Sequence, residues 1–204
     1  MNGNFSREKR FTCQQSGHCC CDPDIIVTLT YRDLFRLFTV LYRDFRLFLQ
    51  KISFYTLDSS SHPLIERHMV LEPILTSDGK IIPGLKKHLN KTCVFYSHPN
   101  CSIYSARPLS CRNYPLAFVK ENKQIISVWA KNSQKTCPGI GKGSPQSLSS
   151  IEQRGEQTLE EIEKHNNVVK ELNIEERNKR PLSAREALWT LVIYGEAQQK
   201  QMQQ

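Results

Sequence analysis

Four of the eight cysteines in this 204-residue chain fall inside nine positions, residues 13–21, "CQQSGHCCC", and three of them are consecutive. The others, Cys93, Cys101, Cys111 and Cys137, come much later. Adjacent side chains diverge, so Cys19, Cys20 and Cys21 cannot easily all serve one tetrahedral ion; such a run suits two metal centres, or one polynuclear cluster with a reserve ligand. Eight cysteines make two sets of four thiolates, enough for two zinc ions or two iron–sulfur clusters. Any such use obliges the chain to return its later segments to its start.

Whether the thiols are free decides between metal and disulfide. The opening "MNGNFSREKR" is polar, no apolar run of signal-peptide length follows it, and nowhere do 18 consecutive apolar residues occur. The expectation is a cytoplasmic protein with no membrane partner, in which clustered cysteines read as metal-binding or catalytic before they read as disulfides. Each downstream cysteine sits beside turn residues, in "KTCVF", "HPNCSIY", "RPLSCRNYP" and "KTCPG". Turns leave backbone amides free to donate to thiolates.

Net charge is +8 and unevenly placed: residues 141–204 hold 9 Lys+Arg against 10 Asp+Glu, leaving 19 against 10 in residues 1–140, where all eight cysteines lie. Compensation of thiolates accounts for this excess better than a nucleic-acid surface, which stays open as an alternative.

Helical spacing of Leu34, Leu37, Phe38, Leu41, Phe45, Phe48 and Ile52 predicts one helix from about Tyr31 to about Ile52, capped by Thr30 and Asp33. Residues 53–66 read as a loop. "HMVLEPIL", "KIIPGL" and "CVFY" read as short strands, with a turn at "SDG", and "PLAFVKENKQIISVWAK" reads as a hairpin turning at "ENKQ". "PGIGKGSP" reads as a Gly and Pro linker that lacks the strand and the Gly-Lys-Ser/Thr ending of a phosphate loop. Beyond it, Ser144 before Pro145 is the expected start of a long, exposed amphipathic helix carrying Leu148, Ile151, Leu159, Ile162, Val169 and Leu172, weakened at Gly155. A capping box at Ser183 and Glu186 opens a second helix. The predicted fold is helix-rich α+β: a small, metal-stapled sheet and hairpin module over residues 1–141, with a C-terminal helical pair over 142–204 packed on it, or alternatively serving a protein partner.

"FTCQQSGHCC", "CVFYSHPNCSIYSARPLSCRNYP" and "CPG" together resemble the YkgJ-type cysteine cluster family of zinc- or iron-chelating domains, whose opening is CxxCxxCC. The most specific piece runs from Cys93 to Pro115 and includes Cys101, Ile103, Tyr104, Arg107, Pro108, Cys111 and Arg112. The resemblance covers about residues 11–141 and implies that Cys13, Cys19, Cys20, Cys93, Cys101, Cys111 and Cys137 chelate metal. It implies no reaction, although a related cluster occurs in flagellin lysine N-methylases. One position departs from the pattern: Ser16 stands where the second cysteine belongs, and serine is a poor ligand for zinc or for iron–sulfur clusters. Cys21 is either its replacement or a bystander.

Arg107 and Arg112 flank Cys111 and are expected to donate to thiolates or offset their charge, with surface pairing as the bland reading for Arg107. Tyr104 and Pro115 are expected to pack the cysteine-bearing turns. His18 and His98 read as outer-sphere or surface groups, and His62, His68, His88 and His165 as structural or exposed. The spacings match neither the ferredoxin run nor paired zinc knuckles; crowding at 19–21 leans toward an iron–sulfur cluster, [4Fe–4S], over Zn. Three functional classes follow: a metal-binding protein, a redox or methyl-transferring enzyme using the cluster, and a zinc-stapled adaptor for nucleic acid or protein.

Overall fold

The computed structural model describes residues 9–56, 70–177 and 180–203. His62, His68 and most of the expected loop over 53–66 lie outside the described residues.

The chain opens with a short strand, β1 (Arg10–Phe11), and one turn of helix, α1 (His18–Cys21). The next helix, α2 (Tyr31–Val40), starts where its cap predicts: Thr30 Oγ1 accepts from Asp33 N at 3.2 Å, and the Asp33 carboxylate accepts from Thr30 N at 3.3 Å. It does not run on to Ile52. Tyr42 and Arg43 adopt left-handed φ of 58° and 60°, Asp44 caps a second helix by accepting from Arg46 N and Leu47 N, and α3 spans only Phe45–Leu49. The apolar spacing continues across the break because Leu34, Leu37, Phe38 and Phe48 all enter the same core. Ile52 then begins β2 (Ile52–Thr56), so the first residues of the expected loop are strand.

A three-stranded antiparallel sheet follows, in the order β2, β4 (Gly79–Leu85), β3 (Ile74–Thr76), with Ile52 opposite Leu85 and Ile74 opposite Ile81. The predicted turn at "SDG" closes β3 on β4. "CVFY" supplies only the start of a small ribbon, β5 (Tyr96–Ser97) with β6 (Asn100–Cys101), while Cys93 bridges to Lys87. After a turn of 3₁₀ helix (Tyr104–Ala106) comes α4 (Leu109–Asn113). The hairpin forms as read: β7 (Leu116–Glu121) and β8 (Gln124–Trp129) pair around Asn122 and Lys123, both at positive φ, as a tight two-residue turn requires.

After a short α5 (Ser133–Thr136), the segment read as a linker is a strand, β9 (Ile140–Pro145), antiparallel to β1. Thr12 N donates to Gly139 O at 3.2 Å and Gln146 N to Lys9 O at 2.9 Å. Gly141 and Gly143 take positive φ of 82° and 78° within it; the Gly and Pro content made the segment look like a linker, and its pairing partner is too distant in the chain to be visible in local composition.

Helix α6 (Leu148–Arg177) is continuous through Gly155. Ser147, not Ser144, receives the hydrogen bond of the first turn, from Ser150 N. The helix is not the exposed element expected. Leu148 is 73% exposed, but Ile151, Thr158, Glu161, His165, Val169, Leu172 and Asn173 form a buried stripe, half of it polar. At Gly155 the absent side chain admits Phe118 and Ile125 of the hairpin. Helix α7 (Ala184–Gln201) has the predicted Ser183 and Glu186 capping box and lies along α2, where Gly195 meets Phe35 and the Tyr31 carbonyl. Leu188, Leu191 and Val192 of α7 and Val169 and Leu172 of α6 join α2 and the three-stranded sheet in one hydrophobic core. The α+β class and the two C-terminal helices are as predicted. No described helix is long and apolar enough to cross a membrane.

Candidate metal centre

Five cysteines stand on short elements, Cys19, Cys20 and Cys21 on α1, Cys101 on β6 and Cys111 on α4, and Cys93 forms an isolated bridge with Lys87. Gly17, at φ 74°, turns the chain into α1, and its carbonyl accepts from Cys20 N and Cys21 N. A side chain at Gly17 would collide with the Tyr96 hydroxyl, so α1 sits directly against β5. Cys93 N donates to Cys20 O at 2.8 Å, and Cys101 is the register partner of Tyr96. Cys111 lies in the middle of α4, where it packs, with Cys93 and Cys101, against the core. All eight cysteines are free; Cys13 and Cys21 are exposed and the other six half-buried.

Five thiols come near enough for each to feel the charge of others. Cys20 shares its proton with the neighbouring Cys19 thiol and faces the charges of Cys93 and Cys101; Cys111 faces Cys19, Cys93 and Cys101. The Cys20 hydrogen bond stabilises the Cys19 thiolate, Arg107 adds to this against the opposing effect of burial, and the Cys19 thiol is lowered to about 7. Cys20 goes the other way, because that hydrogen bond holds its proton and burial disfavours its charge. Burial also raises Cys93, and burial with the neighbouring charges raises Cys111 well above its ordinary value. A cation held among these sulfurs would reverse that penalty, since thiolate is the ligand form. The donor chemistry fits a thiophilic metal, and Cys19, Cys20, Cys93, Cys101 and Cys111 are the residues that could hold one. Among the described residues no group of three or more His, Cys, Asp or Glu side chains stands close enough to hold a metal ion as placed, so the sulfurs would have to draw together around one.

The remaining cysteines are peripheral to these five. Pairing of β1 with β9 brings the segments of Cys13 and Cys137 together through the Thr12 to Gly139 bond. Tyr114 lies within reach of both Cys137 and Cys19: burial raises its phenol, the hydrogen bond with Thr136 opposes the rise, and the two thiolates add to it. Cys21 ends α1 in solvent, on the Tyr96 side.

Arg107 faces Cys19, its guanidinium 3.7 Å from the Tyr104 ring centroid and its Nε donating to Tyr104 O at 2.9 Å. Its charge favours the Cys19 thiolate, and among the described residues no carboxylate pairs with it. Tyr104 is 37% exposed and carries Arg107, not a packed turn; Pro115 is buried. Arg112 reaches instead toward two carboxylates, Asp33 and Glu161, at 3.9 Å each. His18, His88 and His98 are exposed.

Sequence reasoning overlooked the polar groups behind Cys111. The fully buried Asp33 carboxylate accepts from Leu109 N at 3.0 and 3.1 Å and pairs with Arg36 at 3.0 Å. Glu161 accepts from Thr30 Oγ1 at 2.8 Å, and one turn later His165 Nδ1 accepts from Tyr31 N at 3.0 Å. Asn113, at the far end of α4, donates to Thr158 Oγ1 at 2.8 Å. The signal was available in the helical spacing of Thr158, Glu161 and His165, which puts three polar side chains on the buried face of α6.

With five thiols gathered and an arginine at their edge, comparison with protein families is informative. The CxxCxxCC family model, described as "Putative zinc- or iron-chelating domain", matches residues 12–138, and the chain belongs to that family. No curated protein and no solved structure matches it significantly. The protein is thus a member of a zinc- or iron-chelating family, with α6 and α7 lying beyond the matched residues.

Proposed function

We propose that Cys19, Cys20, Cys93, Cys101 and Cys111 are the thiols from which the four ligands of a protein-held iron–sulfur centre of [4Fe–4S] type are drawn, with one in reserve. One observation carries this reading: Cys19 and Cys20 are adjacent and Arg107 lies on their side, a crowding of thiols beside a cation that suits a polynuclear cluster with its several metal corners better than a single tetrahedral ion. Arg107 offsets the thiolate charge beside Cys19, which tunes the affinity of the site. Cys13 and Cys137 close the exposed side across Tyr114, and Cys21 stays a bystander instead of replacing the ligand missing at Ser16. Residues 142–204 are an extension packed on the metal-binding part. A cytoplasmic setting suits eight free thiols. No reaction is assigned.

The test is anaerobic purification followed by iron, zinc and acid-labile sulfide analysis and a visible spectrum. Iron and sulfide in near-equal amounts with broad charge-transfer absorption support the reading. Stoichiometric zinc, no sulfide and no visible band would replace it with a zinc centre that staples the fold.

A further inference from the structure

Helix α4 is only one turn long, too short to hold its own geometry, yet it carries Cys111. Two groups outside it fix its two ends. At the start, both oxygens of Asp33 accept from Leu109 N, at 3.0 and 3.1 Å, and Pro108 offers no capping side chain of its own. At the end, the buried Asn113 side chain donates to Thr158 Oγ1 at 2.8 Å, and Thr158 in turn donates to Arg154 O at 2.7 Å. Between them Arg112 spans Asp33 and Glu161. Asp33 itself is locked by the Thr30 cap and by Arg36.

We infer that Asp33 and Thr158 are positioning residues for Cys111, clamping the two ends of α4 so that its sulfur faces Cys19, Cys93 and Cys101. The α6 half of the clamp lies beyond residue 138, so the C-terminal helix is part of the metal site's support and not only its neighbour. This rests on the reading of Cys111 as a ligand.

Full-length wild type, Asp33→Asn, Thr158→Val and Cys111→Ser are titrated with cobalt(II) alone, and thiolate-to-cobalt charge-transfer intensity and dissociation constant are read on samples of unchanged helix content by circular dichroism. Loss of outer supports of this kind weakens metal binding by roughly 10–100-fold. The expected result is that Asp33→Asn and Thr158→Val each weaken cobalt binding within that range and lose charge-transfer intensity as Cys111→Ser does, with Asp33→Glu restoring part of it. Should Asp33→Asn fail to fold, Thr158→Val decides alone. If Cys111→Ser changes the spectrum while the two clamp variants keep the wild-type spectrum and affinity, the clamp is overturned and the ligand reading stands. If Cys111→Ser is itself silent, both fall.

Discussion

The backbone N–H of Cys93 donates to the carbonyl of Cys20 at 2.8 Å, tying the N-terminal cysteine run to the later cysteines by main chain alone. Tyr96 completes this joint by lying where a Gly17 side chain would be. Gly17→Ala should therefore push α1 off β5, both through the strained φ of 74° and through collision with the phenol. The expected outcome is metal affinity reduced by about tenfold or more, in line with loss of a supporting contact. Tyr96→Ala in the same chain should recover part of it. Competition with a chromogenic chelator measures both.

Gly155 makes a second tight approach. A methyl group there would stand 2.6 Å from Ile125 Cγ2 and 2.9 Å from Phe118 Cδ1, so the hairpin must move. Alanine gains about 1 kcal/mol of helix propensity over glycine, while overpacking costs about 1–3 kcal/mol. Gly155→Ala is expected to be net destabilising in urea unfolding. A stabilised variant would mean that the hairpin does not press on α6 there.

Two buried groups give opposite dependences on pH. Burial, and next the charge of Glu161, raises Asp33 from 3.8 to about 6, so the folded state keeps a proton that the unfolded state releases, and stability falls as pH rises from about 4 to 6. Burial lowers His165 from 6.5 to about 4, so the unfolded state takes up a proton that the folded state refuses, and stability rises with pH over nearly the same window. Each leg is on the order of 2–3 kcal/mol, and the two offset one another. Relative to wild type, His165→Asn should expose the falling leg, and Asp33→Asn, which removes the titrating carboxyl itself, the rising one. Urea unfolding at a series of pH values checks the two slopes; equal slopes in both variants would contradict the assignment.

These groups also show what could be read in advance. Caps at Thr30 and Ser183 and the β7–β8 hairpin were legible because each is a local matter of side-chain oxygen or turn chemistry. The break after Val40 was not, since the apolar period runs unchanged from α2 into α3 toward a shared core, and only Asp44 marks it. The β1–β9 pairing and the Asp33 to Leu109 contact are long-range, and no local pattern announces them. Likewise the cysteine motif identified the candidate donors but not which of them lie on neighbouring elements.

Metal removal should act locally. α2, the three-stranded sheet, α6 and α7 share a hydrophobic core whose fully buried members include no cysteine, whereas α1, β5, β6 and α4 hold the thiols on short elements, with Cys93, Cys101 and Cys111 at the margin of that core. Hydrogen exchange after chelation is expected to accelerate over residues 12–22 and 91–113 and to change little in α7. Uniform acceleration along the chain, or none, would go against this division.

The most direct measurement is metal bound per chain, after anaerobic purification, in wild type and in single Ser variants of Cys19, Cys20, Cys21, Cys93, Cys101 and Cys111. The account predicts stoichiometric iron or zinc in wild type and in Cys21→Ser, with marked loss in at least four of the other five. Wild-type metal content in all six variants, or none in wild type, would contradict it.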